Sequence, residues 1–461
     1  MTKPKKILNN PEDSVEEFIE GLLLQYPNHL QRLATHHVVL AAQRNDDKAV
    51  QLISGGGSGH EPSHAGWIGQ GMLSAAVCGG IFASPSVAAV LAAIQAVGHN
   101  SQGVLLVIKN YTGDRLNFGV AAERAAVRLG IPVRTIVVAD DCALPRTKGV
   151  TGARGLAGTV LVHKIAGAAA ATGASLEECH AVAQRVCARM GTLGVALNAV
   201  TVPGAAAVND RLAAEDLIEV GLGIHGESGL KQSKLLTANE MAAEMVQTIQ
   251  AYGRTDDNED ASKIIPFVQP GDEVVILVNN LGGTSNFEMS ILARSCVKLL
   301  ESSQYQAKVT RVLVGSYMTS FDMHGASLTI LNVAGQDDLV DYLDASCTAP
   351  AWSKCDVWNM QGAIRPSLQR VAEATPDEAT SALPQPHCAL ADVAVSAKKV
   401  LQAAATALGE SEPLLTKYDT IVGDGDCGIT SKCCYYAFRD PKGNHFHRYF
   451  LTALSFVPCV Q

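Results

Sequence analysis

Short apolar runs rich in β-branched residues alternate along this sequence with longer segments whose apolar residues recur at helical spacing. The short runs predict strands and the longer segments predict helices. The predicted strands are 49–54, 103–108, 133–139, 195–202, 217–224, 273–278, 308–315 and 327–333, and the predicted helices include 84–97, 115–129 and 157–172. This alternation favours an α/β fold in which helices cover parallel or mixed sheets.

Local signals mark where two of the helices begin. Ser84 is predicted to cap the helix over 84–97, with Pro85 at its first position, because these residue types are favoured there. Thr237 and Glu240 form a capping box, which predicts a helix running to about Tyr252.

The length and one change of composition predict more than one domain. A chain of 461 residues exceeds what a single hydrophobic core usually serves. Residues from about 369 to 386 are rich in Ala, Thr, Glu and Pro, which is typical of a linker, and a new helical pattern covers about 390–408. We predict a first domain over 9–345 and a linker over 346–388.

The composition excludes several classes of protein. It is 47% hydrophobic and 18% charged with a formal net charge of −9, and no basic block suited to nucleic acid is present. No apolar stretch reaches the roughly 18 residues that a membrane helix needs. The basic start is followed by polar and acidic residues, unlike a secretory signal, and the 12 cysteines are not spaced as a disulfide framework. These features favour a cytoplasmic protein.

A glycine-rich segment over 54–60 follows the first predicted strand. Its glycines allow the backbone to approach an oxygen-rich ligand, and Ser58 and His60 add polar side chains. It lacks the third glycine of the dinucleotide fingerprint, where His60 stands, and the chain contains no Gly-Lys pair of a P-loop. A small polyol, a carbonyl compound or a phosphate would each fit, and a tight turn is the alternative.

Two further segments place reactive side chains after strands. Lys109 and Asp114 follow the strand over 103–108, at the carboxyl end where open α/β sheets bind ligands. Lys109 can donate to a hydroxyl or carbonyl oxygen, and Asp114 can accept a hydroxyl proton. His225 stands among glycines after 217–224, and a neutral imidazole can add to a carbonyl as a hemiaminal. Solvated loop residues and a structural histidine are the alternatives.

An acidic glycine-bent segment lies over 419–428. Asp419, Asp424 and Asp426 are of the type that holds Mg²⁺ against nucleotide phosphates. An EF-hand does not fit, because Ile429 and Tyr435 stand where it needs Gly and Glu. A simple acidic turn is the alternative.

Taken together, these motifs resemble a known family. The segments 55–62, 109–118 and 221–229, together with 191–194 and 278–283, are similar to the substrate-binding (K) domain of the dihydroxyacetone (glycerone) kinases. The resemblance covers roughly 13–345 and is strongest to the ATP-dependent single-chain type, the triokinase/FMN cyclase type in animals. It implies a two-lobed α/β domain that forms a homodimer.

The resemblance also implies roles for individual residues. His225 corresponds to the histidine that forms the hemiaminal, Asp114 to the base on the hydroxyl to be phosphorylated, and His60 to a hydrogen-bonding or acid–base partner. The residues implied to contact the substrate are Gly56, Gly57, Ser58, Gly59, Lys109 and Asp114.

The acidic segment resembles the start of the family's all-α nucleotide-binding (L) domain. The resemblance implies metal ligands at Asp419, Asp424 and Asp426, nucleotide contacts at Asp426, Cys427 and Gly428, and ATP with Mg²⁺. It ends near Thr430, so we predict a partial L domain over 389–430 and an unmatched segment over 431–461.

The family's activities give two hypotheses for this chain. It is either an ATP-dependent kinase of dihydroxyacetone or glyceraldehyde, in a family that also cleaves FAD, or a carbonyl-binding regulatory partner that dimerises without transferring a phosphoryl group itself. An NAD-dependent dehydrogenase is excluded by the glycine segment.

Overall fold

The computed structural model describes residues 5–43, 48–146, 152–205, 211–212, 214, 216–255, 264–353 and 391–422. The chain divides into two compact units, over 1–363 and 364–461. The strands are β1 (Leu30–Arg32), β2 (Val38–Ala41), β3 (Gln51–Ser58), β4 (Ala75–Ile81), β5 (Val104–Lys109), β6 (Val133–Val138), β7 (Met190–Ala196), β8 (Leu217–Val220), β9 (Lys231–Lys234), β10 (Arg254–Thr255), β11 (Ile264–Ile265), β12 (Glu273–Asn280), β13 (Lys308–Gly315) and β14 (Gly325–Asn332). The helices are α1 (Ser14–Gln25), α2 (Val87–Gly98), α3 (Thr112–Arg124), α4 (Gly158–Ala171), α5 (Leu176–Ala188), α6 (Ala238–Tyr252), α7 (Asn286–Leu300), α8 (Asp337–Asp344) and α9 (Ala391–Val422).

The first sheet has the strand order β1-β2-β4-β3-β5-β6, in which β3 to β6 pair in parallel and β1 and β2 form an antiparallel edge. Helices bury both faces of its centre. Leu106 of β5 belongs to the apolar cluster with α2 and α3, whereas Leu105 and Val107 belong to the cluster with α4 and α5. A parallel strand buried on both faces reads as a continuous apolar run, which is how β5 appears in the sequence.

The second sheet has the order β13-β12-β14-β7-β8-β9. Only the β12–β13 pair is parallel among its described pairings. Ile276 of β12 packs into the cluster formed with α6 and α7, and Leu277 faces the cluster shared with the first sheet. The predicted α/β class with mixed sheets is therefore confirmed.

Several predicted elements match and three need correction. The capping box of Thr237 and Glu240 is present at α6. The N-cap of α2 is Ser86, not Ser84. The hydroxyl of Ser84 donates a hydrogen bond to the carboxylate of Asp114 instead. The strand predicted over 195–202 lies earlier, at β7, and β3 continues through Gly55–Ser58, so these glycines are strand residues.

Around the predicted end of the first domain, contacts continue past residue 345. The indole of Trp352 packs edge-on against Trp67, and the backbone N–H of Ala351 donates to the carbonyl of Gly66. In the second unit, the helix predicted over 390–408 is part of α9, which runs to Val422. Among the described helices none is both long and apolar enough to span a bilayer. The domain boundaries stay predictions.

Candidate active site

The candidate site lies between the two sheets, where segments from the ends of β3, β5 and β8 meet. His60 follows β3, Lys109 ends β5, and His225 comes from the loop after β8. The Nε2 atoms of His60 and His225 lie 3.0 Å apart, although the residues are 165 positions apart in sequence. The fold thus brings together the histidines, the lysine and the aspartate that the sequence singled out in the first domain.

His60 is fully buried and its hydrogen bonds define its protonation. Its Nδ1 lies 2.8 Å from the carbonyl oxygen of Thr319, which can only accept, so Nδ1 carries the proton. Nε2 then offers a lone pair to His225. Burial, followed by the charges of Lys109 and His225, holds the pKa of His60 well below its ordinary value. His60 is therefore neutral at rest and able to take a proton only transiently.

His225 is held on the opposite side by Glu227. The carboxylate accepts from Nδ1 of His225 at 3.0 Å and from the backbone N–H of the same residue at 3.0 Å. Burial raises the pKa of Glu227, but the hydrogen bond and charge of His225, with the charge of Arg154, outweigh it and bring the pKa to about 2. Since an ionised carboxylate only accepts, Nδ1 of His225 is protonated and Nε2 is the reactive nitrogen.

Lys109 is almost completely buried, with 1% of its surface exposed. Burial lowers the pKa of Lys109, and the carboxylates of Asp114 and Glu227 oppose that shift. A Cβ atom added to Gly56 would lie 3.3 Å from Nζ of Lys109 and 3.6 Å from Oδ2 of Asp114. The absence of a side chain at Gly56 therefore lets the buried side chain of Lys109 lie close against the backbone, next to the carboxylate of Asp114.

Asp114 lies in the first turn of α3 and is also buried. Its Oδ1 accepts a hydrogen bond from Oγ of Ser84 at 2.5 Å. Burial raises the pKa of Asp114 above its ordinary value, although Lys109, Ser84 and His225 each act in the opposite direction. A carboxylate with a raised pKa is a better proton acceptor than an exposed one.

The other residues of the glycine segment have mainly steric roles in this structure. Oγ of Ser58 donates to the carbonyl of Gly79, so its hydroxyl is committed to the fold. A Cβ atom at Gly57 would lie 2.6 Å from the backbone nitrogen of Ala83, and one at Gly59 would clash with the ring of Phe82. These glycines let Phe82 approach the histidines; its ring stacks on that of His60 at a centroid distance of 4.9 Å.

Replacing Gly57 with alanine is expected to destabilise the fold by about 1–3 kcal/mol, the usual cost of overpacking a closely packed site. The added methyl would contact backbone atoms of Phe82 and Ala83, which cannot move as a side-chain end can. Gly119→Ala is the matched control, because nothing lies within 4 Å of its Cβ position on α3 and alanine favours a helix. Denaturant unfolding of both variants checks this; equal stabilities would contradict the packing described.

Sequence reasoning missed several residues of the site. Glu227 stands two positions after His225 and could have been found from that spacing. Tyr111 lies between Lys109 and Asp114, and its ring packs edge-on against the imidazole of His225 at 4.8 Å. Phe82, Arg154 and Thr319 reach the site only through the tertiary fold, so no local signal indicated them.

The residues predicted to bind metal and nucleotide lie in the last turns of α9 or after it in sequence. Asp419 lies within α9, and Asp424, Asp426, Cys427 and Gly428 lie outside the described residues. In the described part of the chain, no cluster of three or more His, Cys, Asp or Glu side chains is arranged to hold a metal ion. Their roles therefore stay predictions.

The two-sheet fold and the polar groups buried between its sheets define an α/β protein with a cluster of reactive side chains suited to a small carbonyl compound. Residues 20–351 match the Dak1 domain. The chain belongs to the dihydroxyacetone kinase family, as the loop motifs predicted.

Relatives and a solved structure agree with this assignment. The chain is 42% identical over 428 residues to Triokinase/FMN cyclase of Homo sapiens, covering 92% of this chain and 70% of the relative. It is 43% identical over 348 residues to the PTS-dependent dihydroxyacetone kinase 1, dihydroxyacetone-binding subunit DhaK, of Listeria innocua, covering 76% of this chain and 100% of that subunit. The crystal structure of the dihydroxyacetone kinase from C. freundii in complex with AMP-PNP and Mg²⁺ superposes with a TM-score of 0.70 at 34% identity, covering 96% of this chain and 75% of that one.

Proposed function

We propose that the chain is a dihydroxyacetone (glycerone) kinase that holds its substrate as a hemiaminal on His225 and transfers the γ-phosphoryl group of ATP to a substrate hydroxyl. The contact between Nε2 of His225 and Nε2 of His60 carries this proposal. This contact places Nε2 of His60, a base, where it can accept the proton from the nucleophilic Nε2 of His225. Glyceraldehyde, which also has a carbonyl group next to a hydroxyl-bearing carbon, is the second candidate substrate.

The hydrogen bonds supply a balanced route to the hemiaminal. The proton between the two Nε2 atoms moves to His60, which frees the lone pair of His225 to bond to the carbonyl carbon. The carbonyl π pair passes to oxygen, and His60 returns the proton to that oxygen to give a hydroxyl. The positive charge that began on the His225 ring ends there, next to the carboxylate of Glu227.

Lys109 and Asp114 act on the tethered molecule. The ammonium group of Lys109, which lies close to the backbone of Gly56, can donate to a substrate oxygen. Asp114 accepts the proton of the hydroxyl that attacks the phosphoryl group, and its raised pKa suits this task. The tether fixes that hydroxyl in one orientation, which lowers the entropic part of the barrier.

ATP and Mg²⁺ belong to the proposal through the family. Asp419, Asp424 and Asp426 are the proposed ligands of Mg²⁺, which would supply positive charge to offset that of the nucleotide phosphates. Asp424 and Asp426 lie outside the described part of the chain. A homodimer in the cytoplasm also stays part of the proposal.

A second candidate function is binding of the carbonyl compound without phosphoryl transfer by this chain. It is favoured by the alignment with the Listeria innocua subunit, whose whole length matches within 76% of this chain and whose name gives it a binding role. In that case the first unit would present the tethered substrate to a separate phosphoryl donor.

A coupled assay of the purified chain with ATP, Mg²⁺ and dihydroxyacetone separates the two functions. We expect turnover by the chain alone, and its loss in Asp424→Ala, because removing a metal carboxylate leaves nucleotide phosphates without their counter-charge. Asp341→Ala, an exposed aspartate on α8, is the matched control and should keep its activity. Absence of turnover from a chain that still binds dihydroxyacetone would contradict the kinase and support the binding function.

A further inference from the structure

A line of charged groups lies behind His225, on the side away from His60. Asp141 is completely buried, and its Oδ2 lies 2.6 Å from Nε of Arg154. Arg154 is buried as well, with 7% of its side chain exposed, and its Nη1 lies 4.0 Å from Oε2 of Glu227. Asp141, Arg154 and Glu227 therefore alternate in charge, and the last of them contacts His225, the proposed nucleophile.

Arg154 has a hydrogen-bonding group that the fold does not use. Its Nε binds Asp141 and its Nη2 donates to the carbonyl of Gly221 at 2.7 Å. Its Nη1 is buried without a hydrogen-bond partner among the described residues, and so is the hydroxyl of Tyr111. A buried donor without a partner is costly, so one directed toward a carboxylate indicates a role that involves that carboxylate.

The loop that carries His225 is shaped around this pair of charges. The N–H of Gly223 donates to the carbonyl of Glu227 at 2.8 Å, which closes the loop over 223–227. A Cβ atom at Gly223 would lie 1.8 Å from Oε2 of Glu227 and 2.4 Å from Nη1 of Arg154. The carboxylate and the guanidinium thus fill the space where any other residue would place a side chain.

We propose that Arg154, anchored by Asp141, is a positioning residue for the covalent tether: it holds Glu227 against Nδ1 of His225, so that the ring presents Nε2 to the carbonyl carbon. The inference rests on the proposed function. When Nε2 forms its bond, the ring keeps the Nδ1 proton and a positive charge, and no proton passes to Glu227. The carboxylate, held by Arg154, stays beside that charge and keeps the ring in the orientation in which Nε2 reaches the carbonyl carbon.

A purely structural role for Arg154 predicts a different result for the variants. The side chain would then join the loop after β8 to the segment before α4, and its loss would lower stability alone. Positioning predicts a change at the His225 ring itself. The groups in contact with that ring include His60, Phe82, Tyr111 and Glu227, and the Arg154 and Gly223 variants replace none of them.

The test uses two variants that disturb the pair in different ways. Arg154→Lys keeps the charge beside Asp141 but loses the guanidinium fork, and Gly223→Ala keeps both charges but displaces the carboxylate. Gly194→Ala is the matched control, since its Cβ would have only ordinary contacts, at 3.7 Å or more. Two quantities are measured on the full chain: the ¹⁵N resonances of the His225 ring without substrate, and the fraction of carbonyl-labelled dihydroxyacetone held as hemiaminal.

We expect the equilibrium constant for hemiaminal formation to fall about tenfold or more in Arg154→Lys and Gly223→Ala, with shifted His225 resonances, and to stay unchanged in Gly194→Ala. Glu227→Gln, which keeps an acceptor but not the charge, should lower it as well. Unchanged resonances and adduct in the Arg154 and Gly223 variants would overturn the inference.

The ring resonances separate failure of this inference from failure of the proposed function. Absence of any adduct in the unaltered chain would contradict the tether, whereas the resonances recorded without substrate would still show whether Arg154 positions His225. Should Arg154→Lys fail to fold, Glu227→Gln and Gly223→Ala still give the same two readouts.

Discussion

Replacing Asp114 with asparagine is expected to lower the turnover of dihydroxyacetone by about 10²–10⁴-fold, the usual contribution of a general base. The asparagine side chain is similar in size but cannot accept the hydroxyl proton. Burial raises the pKa of Asp114, so turnover by the unaltered chain should fall as the pH is lowered through a pKa higher than that of an ordinary aspartate. The residual activity of the variant should lack this acid limb in a pH–rate profile.

Two controls accompany the Asp114 variant. Asp337→Asn removes the same charge from an exposed position on α8 and should leave turnover unchanged. Because Asp114 is a counter-charge of the buried Lys109, the asparagine variant is expected to lose some stability, and denaturant unfolding checks that it is still folded. It should still hold dihydroxyacetone on His225. A variant that retains full turnover with the same acid limb would show that another group is the base.

Replacing His225 with alanine is expected to lower kcat/KM for dihydroxyacetone by about 10²-fold or more, because the substrate loses the bond that orients it. Glycerol has no carbonyl group and cannot form the hemiaminal, so the rate of any glycerol phosphorylation should change far less. The preference for dihydroxyacetone over glycerol should therefore shrink. Steady-state kinetics with both compounds measure the effect as the ratio of the two kcat/KM values.

The matched control for this change is His99→Ala, an exposed histidine at the end of α2. It should leave both kcat/KM values as they are. An equal loss for glycerol and dihydroxyacetone in His225→Ala would mean that the histidine supports the site in general and does not select the carbonyl group.

The sequence predicted the parts of this protein that depend on local pattern. β5 and β12 lie where the apolar runs placed them, because strands inside a sheet that are buried on both faces give an unbroken hydrophobic signal. The segments carrying His60, Lys109, Asp114 and His225 were found because each follows a strand, and loops at such ends commonly bind ligands. Glycines were harder to interpret. The predicted strands stop at 54 and begin at 195, whereas β3 continues through the glycines after Ser54 and β7 begins before Gly194.

The contacts between side chains of the site could not be predicted from the sequence. Thr319 fixes the tautomer of His60 across 259 positions of sequence. Arg154 reaches Glu227 from a segment between β6 and α4. Such pairs depend on how the two sheets pack, which hydrophobic periodicity does not specify. Ser84 is a further example: its residue type favours a helix cap, but its hydroxyl donates a hydrogen bond to Asp114, and Ser86 caps α2.

The central claim is that His225 holds the substrate by a covalent bond. The most direct test is ¹³C NMR of carbonyl-labelled dihydroxyacetone mixed with the chain carrying [¹⁵N]histidine. The account predicts a tetrahedral carbon resonance, one per site, that is coupled to a histidine nitrogen and disappears in His225→Ala. The nitrogen coupling distinguishes the tether from the hydrate of the free ketone. A bound ligand that shows only the ketone resonance, or a tetrahedral carbon without nitrogen coupling, would contradict the account.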